Sequence, residues 1–467
     1  MGIDDVLSEI NLWILDSDNF RQRPKTNYFL LGSSFDKVRA DIHQVLEDLD
    51  ILEGSPRKGR RHEWAEMAIA YSASVLRQGS DTKRRFQDKL RAFACWTLTL
   101  HLFDILVDSA TVQQISAQKV KDILTAAWTG SKTFTDVIGV GVDGGVQEVT
   151  AEEVFLYGLF RLMAKTRALL DELHLPGEAY PIVLQQSLNH VDGRMAACDM
   201  TSTETYCAWR ANHSKYKYAT TVALVLRADA LGLTDSPLTY IKEPIFQAVL
   251  PGAAQAASLL EDVLNYVRGV PSELNIIRIF EGSSGGAMAD ATPSHSDRAA
   301  LKGVELINKG IQQVIDVVTA EVSAVSEGTP STASMAVSED GEASPTAGGI
   351  EALADKQRKL EALTRVVCET LTGCTTYYYT QGQYRGAWLV LESIFGDAEY
   401  LSKIAMKGGF VTIRRSTTAP NLKGMMAVSG IASSFVEPNV ALNKTYRLPI
   451  SHPPASASAP QDVTMKA

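Results

Sequence analysis

The feature that most constrains this chain is the recurrence of apolar residues at intervals of three and four over long stretches. It is seen in WAEMAIAYSASVL (64–76), FACWTLTLHLFDILV (93–107) and VFLYGLFRLMAKTRALLDEL (154–173). It returns in IFQAVLPGAAQAASLLEDVLNYV (245–267), LKGVELINKGIQQVIDVVTAEVSAV (301–325) and QRKLEALTRVVCETLTGCTTYYYT (357–380). Residues three and four apart share one face of an α-helix, so each stretch predicts a helix with a buried side. Strand signals between them are few. The breakers LPGEAYP (175–181), GLTDSP (232–237) and VPSE (270–273) fall where loops belong. Pro251, inside a helical pattern, is the exception and predicts a kink. An all-α fold follows, with about ten or more helices at ordinary helix lengths.

Two segments read as disordered. Residues 323–350, rich in Ser, Thr, Ala, Gly, Pro and Glu, cannot bury enough apolar surface to order themselves, and residues 451–467 are similar. The first lies between two strong helical patterns and reads as an insertion inside one domain, with an interdomain linker as the alternative. Residues 281–300 read as a further mobile loop. No internal repeat is visible.

Composition narrows the function classes. The 467 residues are 45% hydrophobic and 21% charged, ordinary for a soluble globular protein. A net charge of -9 and a pI near 5.5 argue against a nucleic-acid binder, which needs a basic face. They leave room for an anionic small molecule held by local basic groups. The five cysteines (Cys95, Cys198, Cys207, Cys368 and Cys374) are odd in number, scattered and without CxxC, which fits a reducing compartment better than a disulfide framework or zinc site. The acidic start MGIDDVLSEI has no signal-peptide character, and Val6 stands where myristoylation wants Ser or Thr. No apolar run reaches the length of a membrane span. A cytoplasmic location is the expectation.

LHLFDILVD (100–108) poses the chemical question. Asp104 and Asp108 are four apart in an apolar run, with no Lys or Arg between Arg91 and Lys119. Burying a carboxylate is costly unless it is paired. On one helix face, two hard oxygen donors suit Mg²⁺, although such DxxxD pairs also arise by chance. LLEDVLNYVRGV (259–270) sets Glu261 and Asn265 four apart, with Arg268 close behind. ETYCAWRANHSKYKY (204–218) contributes Arg210. TTYYYTQGQYRGAW (375–388) contributes Tyr384 and Arg385 beside three tyrosines. Each has a plainer reading as solvated helix face, surface arginine or aromatic core. Together they supply metal ligands, positive charge and aromatic lining. That is the chemistry needed to ionise an allylic diphosphate and shelter the resulting cation from water.

Across roughly 90–390 the pattern resembles a class I terpene cyclase of the fungal sesquiterpene type related to trichodiene synthase. FDILVD (103–108) resembles the family's aspartate-rich motif, and Arg210 its diphosphate-sensing arginine. LEDVLNYVRG resembles the second metal motif, and QYR (383–385) the C-terminal RY element. The degenerate motifs and long insertion look most like divergent fungal cyclases that make humulene for meroterpenoid pathways. The resemblance implies a helical bundle around a central apolar cavity, with a single catalytic domain over 1–450. It also implies a catalytic set of Asp104, Asp108, Arg210 and Tyr384. Metal ligands would be Asp104, Asp108, Glu261 and Asn265, holding Mg²⁺, three ions in the family. Diphosphate contacts would be Arg210, Arg268, Tyr384 and Arg385. The wall facing the cation would draw on Phe93, Trp96, Phe103, Tyr206, Trp209, Tyr266 and Tyr377. The implied substrate is farnesyl diphosphate, and the implied product is humulene, by 1,11-closure and proton loss. Homodimerisation is left open.

The chain departs from the family pattern at several points. Glu261 stands where Asn is usual, Asn265 where Ser or Thr is usual, Gly269 where the last Glu is usual and Gln383 where Arg is usual. Asp262 matches the motif's Asp without an evident role. Two other readings stay open: a prenyl diphosphate synthase or prenyltransferase on the same fold, which would normally carry two DDxxD motifs, and a non-catalytic helical scaffold.

Overall fold

The computed structural model describes residues 3–11, 13–15, 36–47, 61–76, 80–108, 115–138, 148–149, 151–196, 202–268, 275–283, 293–326, 335–337, 343–345, 347–380, 384, 387–388, 391 and 446–447. These residues form an all-α bundle. In chain order the helices are α1 (Ile3–Asn11), α2 (Asp36–Glu47), α3 (Arg61–Val75), α4 (Lys83–Asp108) and α5 (Ala117–Thr129). They continue with α6 (Phe134–Ile138), α7 (Ala151–Glu172), α8 (Ala179–Met195), α9 (Thr203–His213) and α10 (Lys215–Arg227). The last are α11 (Pro237–Lys242), α12 (Pro244–Val267), α13 (Ile276–Ser283), α14 (Pro293–Ser326) and α15 (Ala347–Thr380). Two short antiparallel ribbons accompany them: β1 (Glu148–Val149) with β4 (Tyr446–Arg447), and β2 (Met335–Val337) with β3 (Ala343–Pro345). Within 323–350, the described residues are the end of α14, the β2–β3 ribbon and the start of α15.

Local chemistry sets the helix ends. Ser116 accepts from the Lys119 amide to cap α5, which ends at Gly130 with a φ of 63° that favours glycine. Ser214 is the single extended residue between α9 and α10, and its hydroxyl accepts from the Lys217 amide. That break turns the chain so that Lys215 opens a new helix. α12 runs through Pro251 without a break in its assigned span.

The bundle is centred on α4 and α12. α4 is buried on nearly all sides from Leu90 to Phe103, as its apolar run requires. It packs on α3, α7 and α8, while α12 packs on α9, α10, α14 and α15. Small residues let α12 and α14 approach closely: a Cβ on Gly310 would sit 3.1 Å from the Gly252 carbonyl oxygen. At the α15–α3 crossing, a Cβ on Gly373 would overlap the Ser74 carbonyl. α10 touches α4, α12 and α15, so α3, α4, α10, α12 and α15 can enclose one space. No described helix is long and apolar enough to cross a membrane.

Candidate active site

That space is a cleft of about 580 Å³, part of it open to solvent. α3 contributes Tyr71, α4 contributes Trp96 and His101, α10 contributes Lys215 and Tyr216, and α12 contributes Glu261. Tyr377 and Tyr378 of α15, with Tyr384 beyond it, close the aromatic wall. The rings brace one another edge to face: Tyr71 meets Tyr377 at 5.6 Å, and Tyr378 meets Tyr384 at 4.8 Å between centroids. Trp96 is fixed by its indole N–H, which donates to the Ser187 hydroxyl at 2.9 Å.

Charge is concentrated at one part of this wall. Lys215 Nζ donates to Glu261 Oε1 at 2.8 Å, and the Tyr216 hydroxyl donates to Oε2 at 3.1 Å. Burial works against the ammonium, but Glu261, Tyr378 and Asp104 outweigh it and hold the Lys215 pKa well above its ordinary value. Lys215 therefore stays charged inside an otherwise aromatic wall. The Arg268 guanidinium lies 4.5 Å from the centre of the Tyr384 ring and donates to Asn265 Oδ1 at 3.0 Å. Burial pushes the Tyr384 hydroxyl up to about 12, so it remains a donor.

Asp104 lies outside the cleft lining but within the electrostatic reach of Lys215. Its Oδ1 is 3.0 Å from His190 Nε2 and accepts from Arg194 Nε at 3.2 Å, both on α8. Burial opposes ionisation, yet His190, Arg194 and Lys215 hold the carboxyl well below the usual carboxylate range. Asp108 is the last residue of α4, and its side chain lies outside the described residues.

Arg210 belongs to a separate buried cluster. It donates to the Tyr206 hydroxyl at 2.8 Å and to Asp262 Oδ1, and Tyr206 donates to Asp262 Oδ2 at 2.6 Å. Burial disfavours the guanidinium charge, but Asp262, Tyr206 and Glu261 together raise its pKa. Asp262 also accepts from the Ile276 amide, and its carbonyl accepts from Asn275. Its role is to tie α9 and the start of α13 to α12.

The sequence candidates thus divide. Trp96, Glu261, Tyr377 and Tyr384 meet in the cleft. Phe93 stands behind the wall, stacked on Trp96 at 5.7 Å. Phe103 packs edge-on to His190. Tyr206 and Trp209 pack with Arg210, and Tyr266 lies under Arg278. Arg385 lies outside the described residues, as do Gly269 and Gln383. Sequence reasoning passed over Lys215, His101, His190 and Arg194. The signal for Lys215 was present as Ser214, a helix N-cap directly before it.

Of the expected Mg²⁺ set, three side chains lie among the described residues. Asp104, Glu261 and Asn265 each accept from a basic side chain of the protein itself. Among the described residues, no group of three or more His, Cys, Asp and Glu could hold a metal ion. The described side chains on their own therefore do not fit the metal in this arrangement.

No protein-family model matches the chain, and no curated protein matches it. Among solved structures it is similar to 2-methylisoborneol synthase from Streptomyces coelicolor A3(2), solved with Mg²⁺ and 2-fluoroneryl diphosphate. That pair is 12% identical over 77% of this chain and 96% of the other, with a TM-score of 0.49. It is also similar to germacradien-4-ol synthase from Streptomyces citricolor (13% identity, 74% and 95% covered, TM-score 0.45). Hedycaryol synthase in complex with HEPES is another such structure (11% identity, 74% and 94% covered, TM-score 0.45).

Proposed function

We propose that this chain ionises and cyclises a prenyl diphosphate, taking farnesyl diphosphate to a sesquiterpene hydrocarbon and releasing diphosphate. The observation that carries this reading is the cleft: a wall of aromatic rings packed edge to face, interrupted by one half-buried ammonium, Lys215. An apolar chain of isoprene units suits the rings, and an anionic head suits Lys215 with Arg268 beside Tyr384.

The chemistry follows from that polarity. The C1–O bond breaks heterolytically and its electron pair leaves with the diphosphate. Lys215 and Arg268 stabilise the developing negative charge, as preorganised donors do at a leaving group. The allylic cation left behind faces the rings of Trp96, Tyr377 and Tyr378, whose π-faces attract positive charge. Closure between C1 and C11, then loss of a proton, gives humulene. To bind diphosphate, Lys215 shares its donors between Glu261 and phosphate oxygens; an ammonium has three.

Diphosphate release tests the reading. Purified protein given farnesyl diphosphate is expected to release it in step with a volatile hydrocarbon, and a product that retains diphosphate contradicts cyclisation. One observation favours a non-catalytic scaffold, namely that Asp104, Glu261 and Asn265 already bond to basic side chains. A scaffold would release no diphosphate from any prenyl substrate.

A further inference from the structure

His101 lies on α4 one turn before Asp104 and lines the cleft together with Leu100 and the α15 tyrosines. Its Nε2 is buried and has no hydrogen-bond partner among the described residues. A buried polar atom left without a partner costs about 1–3 kcal/mol. The other polar groups of the lining are committed. Lys215 is protonated, Glu261 accepts from Lys215 and Tyr216, and Thr97 donates to the Ala94 carbonyl. Burial keeps the hydroxyls of Tyr71, Tyr377, Tyr378 and Tyr384 protonated. Among the described lining residues, His101 is the group with an uncommitted basic nitrogen.

We propose that His101 is the catalytic proton acceptor that ends the cyclisation. The inference rests on the cyclase reading and adds the residue that decides which alkene leaves. The C–H bond next to the cationic carbon breaks, and its electron pair forms the new C=C bond. The proton goes to Nε2, in the tautomer whose hydrogen sits on Nδ1. The imidazolium then passes its proton to the released diphosphate or to solvent, and the neutral ring is restored. Burial and the neighbouring Lys215 lower the His101 pKa to about 4, so the ring enters the reaction neutral. A carbocation is acidic enough to protonate a base that weak.

The test compares wild-type protein with His101→Phe, which keeps a flat ring of similar size without basic nitrogen. Diphosphate release and gas-chromatographic product profile are read together. Diphosphate release is expected to stay within about threefold, while the share of the main alkene falls about tenfold or more in favour of other isomers or alcohols. The same alkenes in unchanged proportion would overturn the assignment. Should His101→Phe not fold, His101→Gln is judged by the same two readouts. A wild-type protein that releases no diphosphate removes the cyclase reading and this proposal together. Wild-type turnover with an indifferent variant removes the proposal alone.

Discussion

The Lys215 ammonium donates to Glu261 at 2.8 Å within the aromatic wall of the cleft. A half-buried charge is costly unless paired, and Glu261 supplies the pairing while Tyr216 shares the carboxylate. It follows that Lys215 and Glu261 cannot be replaced singly without cost. Lys215→Met is expected to slow diphosphate release by about 100-fold, as loss of one preorganised donor does. It should also lower stability by about 1–3 kcal/mol, because Glu261 loses its ion partner. Single-turnover release and urea melts check both. Unchanged turnover would remove Lys215 from the site.

Asp104 gives a pH signature. Its pKa is held well below the ordinary carboxylate value of 3.8, through His190, Arg194 and Lys215 acting against burial. A depressed carboxyl contributes stability that is complete above its unfolded value and lost as pH falls below it. Urea midpoints of the wild type should therefore drop steeply below about pH 4. Asp104→Asn should lower the midpoint at pH 7 and flatten that drop.

His101 adds a second window. Its pKa is lowered from 6.5 to about 4, so the fold favours the neutral ring. The unfolded chain takes up the proton first, so this contribution is complete above pH 6.5 and declines as pH falls toward 4. His101→Phe should show a shallower loss of thermal stability between those two values than the wild type. Equal slopes would show that His101 does not titrate in this way.

Much of the fold was legible because helical periodicity is a local signal. The six apolar stretches fall within α3, α4, α7, α12, α14 and α15, with only Leu76 and Leu173 beyond a helix end, and the all-α expectation holds. Pro251 lies inside α12, whose helical span continues past it. The site was legible only in part. Glu261 and Tyr384 came from motif positions and Trp96 and Tyr377 from candidate wall aromatics, and all four line the cleft. Lys215, His190 and Arg194 could not be read the same way, because their meaning depends on which helix they face across the bundle. Arg210 shows the converse: a motif position whose charge is directed to Asp262, a partner that spacing alone did not reveal.

Gly373 supplies a prediction about packing. Gly373→Ala would drive a methyl group into the Ser74 carbonyl where α15 crosses α3. Overpacking of this kind costs about 1–3 kcal/mol or more. Tyr377 and Tyr378 follow one turn later on α15, so the shift should also disturb the cleft. A fall in melting temperature with an altered product profile is the expected result. A variant as stable as wild type would mean that the two helices separate freely.

The most direct test of the central claim is the headspace of a reaction. Purified protein is incubated with farnesyl diphosphate in a buffer containing Mg²⁺, and the vapour is analysed by gas chromatography with mass detection. The account predicts a sesquiterpene hydrocarbon, with humulene as the main product, formed in step with released diphosphate. Intact substrate and an empty headspace, with farnesyl and with longer prenyl diphosphates alike, would contradict it.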